Sequence, residues 1–304
     1  MKVLVTGAGG LVGGRLLPLL REAGHEAVGC DLDVDVSDAA AVGAKLDEVR
    51  PDAIVHLAAI SSTRNPEDDP NEIFRINFGG AAAVFDAVAR HRPGARVLFV
   101  SSGLVYGSLP PHQEGFDEGA PLRPRGAYAW TKAAADRLAA LRREEGLDIV
   151  TVRPFNHTGP GRRADFAESR LAREIAAVEL GLQEPVVKAY NLAATRDFLA
   201  VDDVVEAYLR LLEPRVVAGT YNVASGHGRT IQEIWDALRV HSPAPVRLVS
   251  DPAEADPSDR SIGNARRLRA ATGWVPTRDL DAALGRLLAW WREELRASSE
   301  AARG

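Results

Sequence analysis

The sequence predicts an α/β fold: a doubly wound parallel sheet followed by a smaller C-terminal α/β region. Three observations predict it. Short apolar segments alternate with helical segments through the first half, a glycine-rich turn joins the first strand to the first helix, and the alternation lapses after Pro154. Strands covered on both faces read as short unbroken apolar runs, and the helices between them carry the chain back across the sheet.

Lys2–Thr6 is a short apolar strand, and Leu11–Ala23 has helical spacing that stops near Gly24. Ala27–Cys30 is a second strand. Ala39–Val49 reads as a helix closed by Pro51, and Ala53–Leu57 as a third strand. Asn71–Arg90 reads as one long helix, Arg96–Ser101 as a strand, Gly126–Glu145 as a second long helix ending at Gly146, and Asp148–Arg153 as a strand. Beyond Pro154 come a loop with Gly159-Pro160-Gly161, a helix over Glu168–Leu180, a helix over Val201–Leu212 opened by Asp202 or Asp203, and a helix over Thr230–Val240. Ser242 to Pro257 reads as loop with a short strand, and Leu280–Arg296 as an amphipathic terminal helix. The expected organisation is a dinucleotide domain over residues 1–154 and a mainly substrate-binding region over 155–304, with a cleft between them and the chain free to cross from one to the other.

With 304 residues, 46% of them hydrophobic, the chain can bury one large core or two smaller ones. A formal net charge of −5 with interspersed signs argues against a nucleic-acid partner. The single cysteine, Cys30, excludes an intramolecular disulfide and fits a reducing, cytoplasmic setting. The first residues read as a strand entering a turn rather than a leader, and no apolar run reaches the roughly 18 residues of a membrane helix. No metal-ligand spacing stands out. Only four of the 37 basic residues are lysines (Lys2, Lys45, Lys132, Lys188), so each retained lysine invites a reason.

Gly7, Gly10 and Gly13 give a G-x-x-G-x-x-G spacing between a strand and a helix. The first glycine permits the tight turn, the second lets backbone approach a pyrophosphate, and the third lets the helix pack on the strand. Free N–H groups at the helix start then face the phosphates. Asp31 ends the second strand roughly 20 residues beyond the glycines, where a carboxylate bonds ribose hydroxyls and repels a 2′-phosphate. Asp33 and Asp35 add negative charge with no arginine near them in sequence, so NAD is expected rather than NADP. Leu57, Ala58 and Ala59 end the third strand with residues able to lie against a dinucleotide; His56 before them reads as a packing residue.

Tyr128 and Lys132 stand four apart on a helix and face the same way. A phenol is a poor acid or base near neutral pH unless a nearby cation favours the phenolate, and Lys132 is expected to supply that charge. Ser101 and Ser102 end the fourth strand, where a hydroxyl can hold a carbonyl oxygen toward the phenol. Together these side chains suit hydride transfer to or from a carbon bearing oxygen.

The chain resembles the extended short-chain dehydrogenase/reductases, also called the NAD-dependent epimerase/dehydratase family. The matching pieces are Thr6–Gly13, Asp31, His56–Ala59, Asn77, Ser101–Gly107 and the Tyr128/Lys132 pair. Arg153–Gly161, Asn191-Leu192, Arg196-Asp197-Phe198 and Thr272-Gly273-Trp274 are similar to GDP-6-deoxy-4-keto-mannose reductases and their sister dehydratases. The resemblance implies a Rossmann-type sheet and a catalytic trio of Ser102, Tyr128 and Lys132. It implies a coenzyme site drawn from Gly7, Gly10, Leu11, Val12, Gly13, Asp31, Asp35, Val36, Leu57, Ala58, Ala59, Asn77, Tyr128, Lys132 and Pro154. It also implies a nucleotide-sugar substrate held by Ser102, Asn156, Arg196 and, more weakly, Arg260, and a homodimer built on the two long helices.

Two departures from the resembled pattern matter. Dehydratases carry acids just after the catalytic Ser/Thr, and related reductases often keep one; here Gly103 and Leu104 stand there, which argues against elimination. The late loop reads Asp256-Pro257-Ser258-Asp259 where an arginine is usual, so either Arg260 meets the phosphate or the nucleotide differs from GDP. The expected activity is reduction of a 4-keto-6-deoxyhexose on a nucleotide. A 4-epimerase with retained NAD is the nearest alternative, and a non-catalytic dinucleotide-binding protein is the alternative of another class.

Overall fold

The structure, a computed structural model, describes residues 1–61 and 69–301. In the first half the chain runs β1 (Lys2–Thr6), α1 (Gly13–Glu22), β2 (Glu26–Cys30), α2 (Ala39–Val49), β3 (Ala53–His56), α3 (Pro70–Phe74), a π turn over Arg75–Gly79, α4 (Gly80–His91), β4 (Arg96–Val100), a 3-10 turn over Gly103–Tyr106, α5 (Gly126–Glu144) and β5 (Ile149–Pro154). The second half runs β6 (Asn156–Thr158), α6 (Ala167–Glu179), β7 (Val186–Lys188), β8 (Thr195–Ala200), α7 (Val201–Leu211), β9 (Gly219–Val223), β10 (Gly228–Thr230), α8 (Ile231–Val240), β11 (Arg247–Val249), β12 (Arg260–Ser261), α9 (Arg266–Thr272) and α10 (Leu280–Ala301).

Six strands form one sheet in the order β2-β1-β3-β4-β5-β9, and every pairing within it is parallel. This is the doubly wound sheet that the sequence predicts. Alternate residues of its strands fall into two different cores. Val3 and Val5, Ala53 and Val55, Leu98, and Val150 and Val152 lie on one face. Leu4, Ile54, Val97 and Phe99, and Ile149 lie on the other. A two-residue period with apolar side chains at every step leaves no face for water, so helices cover both. The connections from β1 to β2 and from β2 to β3 run in opposite directions past β1, which opens a crevice at the C-terminal ends of β1 and β3.

The sixth strand comes from beyond Pro154. Sequence reasoning assigns no element between Leu212 and Thr230, yet β9 pairs with β5 from Val150↔Gly219 to Pro154↔Val223. Its strand character is set by the open edge of β5, which offers a ladder to any extended segment that reaches it. The rest of the second half forms smaller sheets, β10-β8-β12 with β6 against β8, and β11 beside β7. A third core under α6, α8 and α10 includes Leu171, Ile175, Ile234, Trp235, Leu284 and Leu288.

Local signals set several boundaries. Asp38 caps α2 through the N–H groups of Ala40 and Ala41, and Arg50 closes that helix in the left-handed region. Thr230 and Glu233 form a reciprocal capping box at the start of α8. Asp202 and Asp203, expected to open α7, lie inside its first turn instead. Asp203 is wholly buried and accepts from the Thr277 and Arg278 N–H groups, both at 3.1 Å, and from the Arg278 guanidinium at 2.7 Å. The expected single helix over Asn71–Arg90 is divided by the π turn, which carries Asn77. Helix α10 runs to Ala301, a little past its expected end.

A buried polar network links the sheet to α5. Arg153 donates to both Asp136 oxygens, at 2.8 and 2.9 Å, and to the Tyr106 hydroxyl at 2.8 Å. Tyr106 donates in turn to Asn222 on β9. Arg153→Met strands a buried carboxylate and is expected to cost about 3–5 kcal/mol, read as a lower urea midpoint. Adding Asp136→Leu is expected to recover most of that loss; a single variant that melts like the wild type would contradict the assignment.

Candidate active site

A cavity of about 650 Å³ occupies the crevice. Gly7, Gly10, Leu11, Val12, Gly13, Asp31, Asp35, Val36, Leu57, Ala58, Ala59, Ser102, Tyr128, Lys132, Pro154 and Asn156 all line it. The glycine turn is closely built. Gly7 has φ +67°, and a Cβ there would stand 2.8 Å from the Ala58 nitrogen; one on Gly13 would stand 2.5 Å from the Gly7 carbonyl oxygen. Only glycine lets the turn lie this close to β3 and to the base of α1. No side chain caps the first turn of α1, so its N–H groups suit an anion. These features fit a dinucleotide pyrophosphate.

Asp31 accepts the Gly9 N–H at 2.6 Å, so the carboxylate also braces the turn. The negative edge at Asp35 is not free of arginine. Arg75, from the π turn, lies 2.9 Å from Asp35, pairs with Glu72 at 2.7 Å, and lines the cavity. That contact spans 40 residues of sequence and is invisible in the local pattern. Asn77 does not line the cavity. It is buried, accepts the Ile60 N–H at 2.8 Å, and donates to the Ile60 carbonyl at 3.0 Å and the Thr131 hydroxyl at 3.2 Å, tying the segment after β3 to α5.

At the other end, Ser102, Tyr128 and Lys132 converge. Lys132 is 2% exposed and donates to the Val100 carbonyl at 2.9 Å. Burial lowers its ammonium to about 8. Ser102 lies two residues beyond β4 and caps the 3-10 turn, its hydroxyl accepting the Leu104 N–H at 3.1 Å. The Tyr128 phenol is not held below its ordinary value as the sequence suggests. Burial pushes it up, and the Ser102 side chain and the Arg162 charge only partly offset that. Arg162, a residue that sequence reasoning did not single out, also lines the cavity. Its only sequence signal was its place in the Gly-Pro-Gly-Arg run after Asn156. His56 is fully buried against Phe99, bonds Thr6 through Nδ1 at 2.9 Å, and is held near 3 by burial and by Lys132, so it packs as a neutral ring. Trp130, between Tyr128 and Lys132, is 61% exposed and outside the cavity.

Gly103 and Leu104 line the cavity in place of acids, and a Cβ on Gly103 would meet the Phe155 ring at 3.1 Å. Arg196 and Arg260 do not line it. Arg196 is turned to Asp259, with one donor 2.7 Å from the carboxylate and another 2.9 Å from the Asp259 carbonyl. Arg260 reaches the Pro110 and Pro111 carbonyls at 3.4 Å. Asp259 is thus neutralised by Arg196, Asp256 is bonded by Ser258, and neither aspartate lines the cavity.

The sequence profile of the NAD dependent epimerase/dehydratase family matches residues 3–224. The chain belongs to that family. The family members it resembles include a GDP-6-deoxy-D-mannose reductase of Pseudomonas aeruginosa, 34% identical over 81% of this chain and 82% of the relative. A UDP-glucose 4-epimerase of Mycolicibacterium smegmatis is 29% identical over 97% and 99%. Among solved structures, RMD from Pseudomonas aeruginosa complexed with NADPH superposes with TM-score 0.86 at 32% identity, covering 96% of this chain and 98% of the other. The UDP-glucose 4-epimerase of Thermus thermophilus with NAD gives 0.84 at 25%, covering 96% and 99%. These epimerase/dehydratase family relatives are nucleotide-sugar enzymes, and this chain is an enzyme of the same kind.

Burial of Lys132 has a stability consequence with a definite sign. Its folded value, about 8, lies below the unfolded value near 10.4, so between those values the unfolded chain binds more protons. Stability of the ligand-free protein should therefore rise with pH across that window. Lys132→Met is expected to raise the urea midpoint at pH 7, by on the order of 1–3 kcal/mol, and to flatten that rise. Identical pH dependence in both proteins would contradict a costly buried ammonium.

Proposed function

We propose that this enzyme reduces the keto group of a nucleotide-linked 4-keto-6-deoxyhexose. The observation that carries the reading is the convergence of Ser102, Tyr128 and Lys132 in the same cavity as the glycine turn. The coenzyme supplies a hydride. Tyr128 gives its proton to the carbonyl oxygen, Ser102 orients that oxygen, and Lys132, which donates to the Val100 carbonyl, would hold the coenzyme ribose. Gly103 and Leu104 offer no proton to an elimination, which supports reduction over dehydration. Asn156 is the substrate-side polar group within the cavity. Arg196 and Arg260 would reach a diphosphate only by leaving their present partners. Residues 1–154 with β9 serve the coenzyme, and the remainder serves mainly the sugar nucleotide.

NAD is the coenzyme we favour: Asp31 presents a carboxylate to the ribose edge, and Arg75 is already engaged by Asp35 and Glu72. Epimerisation is the second reading, supported by the full-length similarity to UDP-glucose 4-epimerases. It differs in retaining its coenzyme and needing no added reductant. We also propose a homodimer across the α3–α4 segment and α5, where Phe74, Trp130 and Leu141 are 50%, 61% and 50% exposed. Among the described residues no helix is long and apolar enough to cross a membrane.

The decisive assay supplies NADH or NADPH with GDP-, UDP- and dTDP-4-keto-6-deoxyhexoses and follows coenzyme oxidation. The GDP sugar with NADH is expected to turn over, and Tyr128→Phe is expected to lose about 10²–10⁴-fold in kcat with coenzyme affinity kept. Turnover without reductant would favour the epimerase, and full activity in the phenylalanine variant would remove the mechanism. Sedimentation at a single-chain mass would overturn the dimer.

A further inference from the structure

Two walls of the cavity are fastened together beside α1. One is the glycine turn, where Gly10, Leu11 and Val12 line the cavity. The other is the segment after β5, where Asn156, His157, Arg162 and Phe166 line it. Arg15, in the first turn of α1, joins them. Its Nη1 donates to the Leu11 carbonyl at 3.1 Å, and its Nη2 donates to the Pro160 carbonyl, 145 residues away in sequence. Its Nε lies 3.4 Å from Asp202 at the start of α7, and Asp202 in turn lies 4.0 Å from Arg286 on α10. The side chain is 25% exposed, so these contacts are largely shielded from water. The walls also approach through other atoms. A Cβ on Gly161 would stand 3.6 Å from Leu11 Cδ1, and one on Gly159 would stand 2.9 Å from Val201 Cγ1 and 3.7 Å from Arg15 Nη2.

The residue type suits the task. A guanidinium presents five N–H donors in a fixed fork, so it can hold two carbonyls and a carboxylate at once. An ammonium on a flexible stem cannot keep that geometry. Hydrogen bonds from a charged donor are also the stronger kind, and parting the walls means breaking them.

Resting on the reading of this cavity as the coenzyme site, we propose that Arg15 is a positioning residue that straps the glycine turn to the 159–161 bend and so paces the entry and release of the dinucleotide. It acts through Leu11 and Pro160 rather than by touching the coenzyme. A dinucleotide reaching from Asp31 to Tyr128 lies along the glycine turn, which is one of the strapped walls. Exchange is also the property that divides the two catalytic readings. A reductase renews its coenzyme at every turnover, and an epimerase keeps it.

The test follows binding rather than turnover, so its result stands apart from the assay above. Association of NADH or NADPH is followed by coenzyme fluorescence in stopped flow, and release by displacement with excess oxidised coenzyme, with circular dichroism confirming the fold. Arg15→Met and Arg15→Lys are expected to raise the association and release rate constants together, each by about tenfold, with Kd held within about threefold. Asp202→Asn spares both carbonyl contacts and is expected to change either rate by less than about threefold. Wild-type rates in whichever Arg15 variant folds would overturn the proposal. So would faster release with unchanged association, because that marks a damaged site rather than an opened one. A wild type that binds neither coenzyme would remove the coenzyme reading and the strap with it.

Discussion

The structure depends on the double pairing of β1. It is hydrogen-bonded to β2 on one side and β3 on the other, and its C-terminal end therefore falls where the connections part. The close approach of Gly7 to the Ala58 backbone follows from that pairing, because the turn after β1 must pass directly over the end of β3. The cavity, the start of α1 and the approach of α5 with Tyr128 all take their places from this point. A side chain at Gly7 would lift the turn from β3 and open the crevice at its base.

Burial then acts in opposite senses on the two partners at the reactive end. It raises the phenol of Tyr128 and lowers the ammonium of Lys132, favouring the neutral form of each. A proton donor kept protonated suits the reduction proposed above, in which the phenol would arrive with its proton and part with it only as charge builds on the sugar oxygen.

The second half of the chain is organised by pairing rather than by burial of long helices. Asp197, buried on β8, accepts the N–H groups of Ser225, Gly226 and Gly263, and so holds two other segments to β8 through one carboxylate. Next to it, Arg196 and Asp259 satisfy each other. Of the residues that the resemblance points to for the substrate, Arg196 is thus engaged in holding the late loop, while Asn156, just beyond β5, lines the cavity, as Arg162 does.

The sequence by itself determined the first five strands of the sheet, the glycine turn and the candidate trio of Ser102, Tyr128 and Lys132, because each is written in local pattern: apolar runs at strand length, glycines at fixed offsets, and Tyr128 and Lys132 four apart on one helix face. It also determined the absence of acids at 103 and 104. Only the tertiary structure decided the membership of β9 in the main sheet, the π turn at Arg75–Gly79, the pairing of Arg75 with Asp35, and the inward turn of Arg162 in place of Arg196 and Arg260. Each of these hangs on partners far apart in sequence or on which of several arginines finds a carboxylate first. A short strand takes its identity from the edge it meets, and a long charged side chain takes its direction from the nearest unpaired charge; neither is encoded within a local window of residues.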